Sequence, residues 1–254
     1  MTVAFTRAVS PSLARCELTH LARDPIDATR AAAQHSDYER CLAQLGVEVV
    51  HLPALSDLPD SVFVEDTAVV LDELAIITRP GAVSRRAETG AIADALRLYR
   101  DLVFVEEPAT VDGGDVLIVG RQVYVGLSSR TSASGVAQIR HMLEPLGYRV
   151  TTVAVGGCLH LKSAVTQVAP DTVLINRTWV DSDAFRGMRQ VEVDATEPHA
   201  ANALKIRDSV LYPAAFERTR DRLHELGITV LPVDVSELAK AEGGVTCCSI
   251  LVEC

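Results

Sequence analysis

The stretch Asp115–Val155, DVLIVGRQVYVGLSSRTSASGVAQIRHMLEPLGYRVTTVAV, decides how this chain folds. Two short apolar runs, Asp115–Val119 and Gln122–Val125, flank Gly120-Arg121 and predict a β-hairpin. A helix is expected from about Ser132 to Leu146, with Gly147 as its stop, because glycine readily takes the backbone that ends helices. Tyr148–Val155 then predicts a strand. The unit is therefore strand, strand, helix, strand.

The same order recurs on both sides. Upstream, Ala68–Leu71 and Leu74–Thr78 form a hairpin across Asp72-Glu73, a helix is expected over Ser84–Arg100, and Leu102–Val105 is a strand. Downstream, Ala203–Ile206 and Val210–Tyr212 pair, a helix spans about Phe216–Leu226 and stops at Gly227, and Ile228–Val233 is a strand. A weaker copy covers Ala164–Ile175 and ends near Val191–Val193. The hairpins start at 68, 115, 164 and 203, spacings of 47, 49 and 39 residues. A repeat of this length predicts a radial array. A fifth unit appears when the ends join: Val245–Val252 pairs with Val3–Thr6, followed by a helix near Asp37–Leu45 and a strand over Val47–Leu52. Joining the ends leaves no free sheet edge. The competing architecture is an open α/β sheet. No linker divides the chain, so 1–254 is expected to be a single domain.

Composition narrows the function. The net charge of −10 argues against nucleic acid and against anionic membrane surfaces, and suits a cationic small molecule. No apolar run approaches the roughly 20 residues of a membrane helix, and the start of the chain lacks a signal peptide's basic and apolar regions. A cytoplasmic protein is expected. The six cysteines contain no CxxC pair, which removes a zinc knuckle and favours free thiols.

Four clusters could carry chemistry: Asp60-Ser-Val-Phe-Val-Glu65-Asp66, Asp112-Gly-Gly-Asp115, His160 between two leucines, and Gly243-Gly-Val-Thr-Cys247-Cys248. Singly, each has an ordinary structural reading as a solvated turn, a hairpin loop, a core histidine or an apolar cysteine. The repeat makes them less independent. Each lies at the start of a hairpin's first strand, and in a radial array such positions converge on the axis. One thiol, one imidazole and several carboxylates in one cavity match attack on a planar cation. Carboxylates hold guanidinium nitrogens, a thiolate attacks the central carbon, and an imidazole moves the protons. Cys247 and Cys248, as strand neighbours, would face opposite ways, so one alone could enter the cavity.

These residues resemble the dimethylarginine dimethylaminohydrolase (dimethylargininase) family of the guanidine-modifying superfamily. The resemblance runs through DSVFVEDTAVV at 60–70, ITRPGAVSRRAET at 77–89, TVDGGDVL at 110–117, VGLSSRT at 125–131, LHLKSAV at 159–165 and GGVTCCS at 243–249. It implies a five-bladed α/β propeller of ββαβ units, closed through the two termini. It also implies hydrolysis of Nω-methylated free arginine to citrulline and methylamines through a covalent thiouronium on cysteine. By position, Cys247 matches the nucleophile, His160 the general acid and base, and Asp112 the acid that supports the histidine. Glu65 and Asp66 match guanidinium-side acids, Asp60 a contact toward the amino end, and Arg85 and Arg130 a clamp on the substrate carboxylate. Leu18 and Ala241 match loop positions whose backbone touches substrate. No cofactor and no metal are implied, and the partner is a cationic amino acid, with a homodimer left open. The chain departs from the pattern at Glu242, where relatives often carry Asp, and in the loop around Leu18, the expected lid.

Other members of the fold give rival readings. Arginine deiminase performs the same chemistry on plain arginine, but it and the amidinotransferases are longer. A non-catalytic propeller such as translation initiation factor 6 should lack the Cys, His and paired acids together.

Overall fold

The computed structural model describes residues 1–254. Along the chain run β1 (Thr2–Arg7), α1 (Ala28–Gln44), β2 (Glu48–Leu52), β3 (Ala68–Val70), β4 (Leu74–Ile77), α2 (Thr89–Leu96), β5 (Asp101–Phe104), β6 (Val116–Val119), β7 (Gln122–Leu127), α3 (Ala133–Leu143) and β8 (Arg149–Ala154). There follow α4 (Leu161–Ala164), β9 (Val165–Ala169), β10 (Thr172–Ile175), β11 (Arg189–Glu192), β12 (Leu204–Ile206), β13 (Ser209–Pro213), α5 (Glu217–Glu225), β14 (Thr229–Val233), α6 (Ser236–Ala239) and β15 (Ile250–Glu253).

The strands form five three-stranded sheets, β15-β1-β2, β3-β4-β5, β6-β7-β8, β9-β10-β11 and β12-β13-β14. In each, the first two strands are antiparallel and the third returns parallel to the second. The expected ββαβ unit is present in four blades, and in the β9-β10-β11 blade a 3₁₀ turn, Ser182–Phe185, stands where the helix would be; together they make a five-bladed α/β propeller. The first blade takes β15 from one end of the chain and β1 from the other, with Val3 opposite Val252 and Phe5 opposite Ile250.

Five apolar cores lie between neighbouring blades. Between the first two, Val3, Phe5 and Ile250 meet Ala75, Ile77 and α2 residues Ile92 and Leu96. Between the fifth and the first, Leu211 and Val233 meet Tyr38 and Leu42 of α1. Each helix therefore ties two blades together, and the ring has no open edge at its hub.

Local chemistry explains where the elements depart from expectation. Helix α1 begins well before Asp37. Asp27 caps it by accepting the N–H groups of Thr29 and Arg30, and Ala31, Gln34, His35, Tyr38 and Leu42 make one buried face. The helix expected over Ser84–Arg100 opens instead as a 3₁₀ turn, Val83–Glu88, before α2. In a 3₁₀ turn residues i and i+3 eclipse, which stacks buried Arg85 against buried Glu88. The strand expected over Val245–Val252 is shorter, because residues 245–248 form a turn. Gly147 and Gly227 end their helical segments at φ 84° and 75°, as expected of them. No helix is long and apolar enough to cross a membrane.

Candidate active site

Five short segments at the starts of the blades' first strands converge on the hub. Glu65 and Asp66 lie in a 3₁₀ turn before β3, and Asp112 directly precedes the turn Gly113–Asp115 before β6. His160 immediately precedes α4, Asn202 lies just before β12, and Thr246 and Cys247 lie in the turn before β15. The close approach explains the double glycine of Asp-Gly-Gly-Asp. A Cβ on Gly114 would lie 2.6 Å from His160 Nδ1 and 2.8 Å from Asp66 Oδ1.

His160 is held from two sides. Its Nε2 is 3.0 Å from Asp112 Oδ2, and its Nδ1 is 3.7 Å from Asp66 Oδ1. Asp112 Oδ1 accepts the Gly81 N–H at 2.8 Å, and Asp66 Oδ1 accepts that of Gly114 at 2.9 Å. Burial pulls the imidazole toward its neutral form. The Asp66 charge, the Asp112 hydrogen bond and the Asp115 charge outweigh that and push it up to about 9. Burial likewise opposes the Asp66 carboxylate, but His160 and Arg85 hold it down at about 2. The imidazole is therefore protonated at neutral pH.

Cys247 is buried, and its sulfur accepts the Gly244 N–H at 3.3 Å. Burial, then the Glu65 and Asp66 charges, push its thiol well above the ordinary range. Cys248 is fully buried in the apolar core beside Tyr38 and Leu42, with its thiol 3.5 Å from the Gly244 carbonyl. The two cysteines are separated by a turn and not by strand alternation, so the reason expected from sequence for their difference is corrected.

A small cavity joins seven of the predicted residues. Asp60, Asp66, Arg85, Arg130, His160, Ala241 and Cys247 line it, with Phe63 as an apolar wall. Three predicted residues stand outside. Asp112 is wholly buried behind His160. Leu18 packs at the edge of the apolar core between the first and last blades. Glu65 turns the other way, onto a separate cavity of about 220 Å³ that runs along the inner strands. There its carboxylate is 2.5 Å from Lys162 Nζ and accepts the Thr246 hydroxyl at 2.9 Å. Glu65 does not line the cavity that its expected contact with the guanidinium requires.

The two arginines also differ. Arg85 spends its fork on Glu88, on Asp66 at 2.5 Å, and on the carbonyls of Asp60 and Phe63. Arg130 donates to Thr19 Oγ1 at 3.1 Å and lies 4.0 Å from Asp112. Arg130 is the freer of the two.

Residues 19–252 match the family model described as N,N dimethylarginine dimethylhydrolase, eukaryotic. The chain belongs to this family. It is 42% identical over 251 residues to the N(G),N(G)-dimethylarginine dimethylaminohydrolase of Streptomyces coelicolor, covering 97% of this chain and 95% of the relative. Its fold superposes with a TM-score of 0.93, at 35% identity and 98% coverage of both chains, on the Pseudomonas aeruginosa enzyme in a cysteine-to-serine mutant complexed with citrulline. A histidine-to-glycine dimethylarginine dimethylaminohydrolase, as an adduct with S-methyl-L-thiocitrulline, gives a TM-score of 0.92 at 35% identity, covering 98% of this chain and 99% of that one.

Within this dimethylargininase-family site, ligand atoms of Asp66, Asp112 and His160 lie within 4.8 Å of one another, close enough to surround a metal ion. Their charges are already matched by Arg85, Arg130 and the imidazolium, so a cation would have to displace a proton and two guanidinium neighbours. Sequence reasoning missed Asn202, the fourth blade-start residue at the hub. Its amide donates to Thr246 Oγ1 and to the Lys162 carbonyl, each at 3.0 Å, and accepts the Thr246 N–H at 3.1 Å. The signal was its place directly before the hairpin that begins at Ala203.

Proposed function

We propose that this chain, acting as a single catalytic domain, hydrolyses asymmetric dimethylarginine and monomethylarginine to citrulline and the corresponding methylamine. The observation that carries this reading is a buried thiol and a buried imidazolium sharing one small cavity with carboxylates and the lightly bonded Arg130. The close kinship with named dimethylarginine dimethylaminohydrolases supports the substrate class. The six unpaired cysteines suit a reducing cytoplasm.

In this reading Asp66 accepts guanidinium N–H groups, Asp60 meets the α-amino group, and Arg130 binds the α-carboxylate in a fork. Arg85, largely committed to Glu88 and Asp66, contributes less. Ala241 and Leu18 offer backbone at the cavity rim and in the lid. Phe63 supplies an apolar flank for the methyl groups, which bring no donor for a carboxylate to accept.

Cys247 rests as a thiol. The arriving cation offsets the Glu65 and Asp66 charges, and the thiol proton passes to water. The sulfur bonds to the guanidinium carbon. His160 gives its proton to the methylated nitrogen, the C–N bond breaks, and dimethylamine leaves a thiouronium on Cys247. Neutral His160 then takes a proton from water as the water oxygen bonds to the same carbon. The C–S bond breaks, its electron pair returns to sulfur, the remaining O–H proton passes to solvent as citrulline forms, and the thiolate takes a proton back from water. Asp112 keeps the His160 ring oriented through both halves and favours the imidazolium that the second half restores.

The test is citrulline release from asymmetric dimethylarginine, monomethylarginine and arginine. We expect kcat/KM to favour the methylated substrates by at least about tenfold, which needs about 1.4 kcal/mol of transition-state difference. Equal or better turnover of arginine would replace this reading with a deiminase.

A further inference from the structure

The loop that carries the nucleophile also holds down the loop above it. Glu242, five residues before Cys247, has φ 60°, a left-handed backbone that non-glycine residues seldom adopt. Its carboxylate accepts three successive peptide N–H groups: Thr19 at 3.1 Å, His20 at 2.5 Å and Leu21 at 2.6 Å. Successive amides turned onto one anion form a nest that replaces a counter-ion. The neighbouring cation, Lys240, is committed elsewhere, to Glu237 and Asp24.

The cavity over Cys247 measures about 10 Å³, with Glu17 and Glu242 in its wall. That is room for about one water. No arginine derivative can be admitted while the loop lies where it does, so the loop must lift and return in each turnover. Its other ties are the Glu17 N–H to the Asp60 carboxylate at 3.2 Å, Arg130 to Thr19 Oγ1 at 3.1 Å, Ser84 Oγ to Glu17 at 2.7 Å, and Lys240 Nζ to the Pro25 carbonyl at 3.0 Å. The first two run through groups that the substrate's own amino and carboxylate ends would engage. They are exchanged when substrate binds. The Glu242 nest is not.

We propose that Glu242 is the latch of this loop: a positioning residue whose carboxylate holds Thr19–Leu21 and so keeps the loop, with Glu17, shut over Cys247, setting how firmly substrate is retained. The proposal rests on the reading that Asp60 and Arg130 face the substrate, but latching can be measured without turnover.

Three measurements on the full chain test it: amide hydrogen exchange at residues 19–21, the rate of Cys247 alkylation by iodoacetamide, and steady-state kinetics on asymmetric dimethylarginine. Glu242→Gln should speed exchange at these amides and Cys247 alkylation by about tenfold each, and raise KM about tenfold with kcat within about threefold. Glu242→Asp, which keeps the charge, should recover most of the wild-type alkylation rate. Leu21→Pro removes one donor from the opposite side and should act in the same direction, less than multiplicatively with Glu242→Gln. It also serves where the Gln variant does not fold. Unchanged exchange and alkylation in both variants would overturn the latch, as would a lower kcat at unchanged KM. If the wild-type chain released no citrulline, the proposed activity would fall, while exchange and alkylation would still decide the latch.

Discussion

His160 stands between two aspartate–arginine pairs made of the same residue types and connected in opposite senses. On its Nδ1 side, Asp66 makes its short contact to Arg85, 2.5 Å, and its long one to the imidazole, 3.7 Å. On its Nε2 side, Asp112 makes its short contact to the imidazole, 3.0 Å, and its long one to Arg130, 4.0 Å. The difference comes from a third partner. Glu88, buried and eclipsed with Arg85 in the 3₁₀ turn, pulls that guanidinium into the wall with Asp66. Nothing comparable holds Arg130, which lies against the lid's Thr19. The lesson is that an arginine's availability to a ligand depends on how many acceptors have already taken its fork, more than on its distance from the cavity.

The largest expected effect sets the ceiling for judging either pair. Cys247→Ser should cut turnover by about 10⁴ or more, since both pairs serve one nucleophile. Cys248→Ser should retain activity within about threefold, apart from a loss of core stability. Comparable loss from both would mean that the pairs have been assigned to the wrong thiol.

Next come the aspartates. Asp112→Asn should lower kcat by about 10³, because an amide misdirects the imidazole it is meant to orient. Asp66→Asn should cost less in kcat, and both variants should move the His160 titration down, Asp66 acting through its charge and Asp112 through a hydrogen bond and its charge. Imidazole NMR titrations of both variants give the answer. An unchanged titration in either variant, or a larger loss of kcat from Asp66→Asn, would mean that the two sides have been wrongly distinguished.

The arginines should separate by observable. Arg130→Lys is expected to raise KM for dimethylarginine by about 30-fold and leave turnover of methylguanidine, which has no carboxylate, nearly unchanged. Arg85→Lys should lower thermal stability by about 2 kcal/mol or more, because buried Glu88 and Asp66 then share one fewer forked donor. A purely kinetic effect from Arg85→Lys would restore it to the clamp.

The most gradual effect is on pH dependence, spread over several pH units. His160 titrates at about 9, above its ordinary 6.5. The stability it contributes is complete below about 6.5 and is lost as pH rises through 9, on the order of 3 kcal/mol in total. Activity should follow the imidazolium, with kcat/KM falling about tenfold per pH unit above 9. A limb near 6.5 instead would show that the aspartates do not raise this group.

The repeat was readable from residues alone because each unit punctuates itself. Apolar runs of four or five residues and a helical period appear in the same order in most copies, with a glycine stop at Gly147 and Gly227, and those are local features. The side-chain directions were not readable. Glu65 and Asp66 are sequence neighbours in one turn, yet Asp66 faces His160 while Glu65 faces Lys162 in the other cavity. Adjacent residues in a 3₁₀ turn diverge by about a third of a rotation, and which one faces the nucleophile depends on partners from other blades. The same holds for Arg85, whose capture by Glu88 needs the 3₁₀ turn in place of the expected helix. Asn202 was passed over because an amide gives no chemical alarm, although its spacing placed it on the axis.

The pairing of β15 with β1 bears on when this protein can work. Thr2 and Glu253 meet across 251 residues. For a flexible chain, each doubling of loop length adds only about 0.6 kcal/mol, so closing the ring costs about 1.5 kcal/mol more than closing one blade. The timing is less forgiving. Cys247 sits three residues ahead of β15, and its turn is fixed by Glu65, whose N–H reaches the Cys247 carbonyl, and by Asn202, which holds Thr246. During synthesis four blades can assemble with the first still missing a strand. The turn that carries the nucleophile leads directly into β15, so seating Cys247 is coupled to the pairing of β15 with β1 that closes the ring.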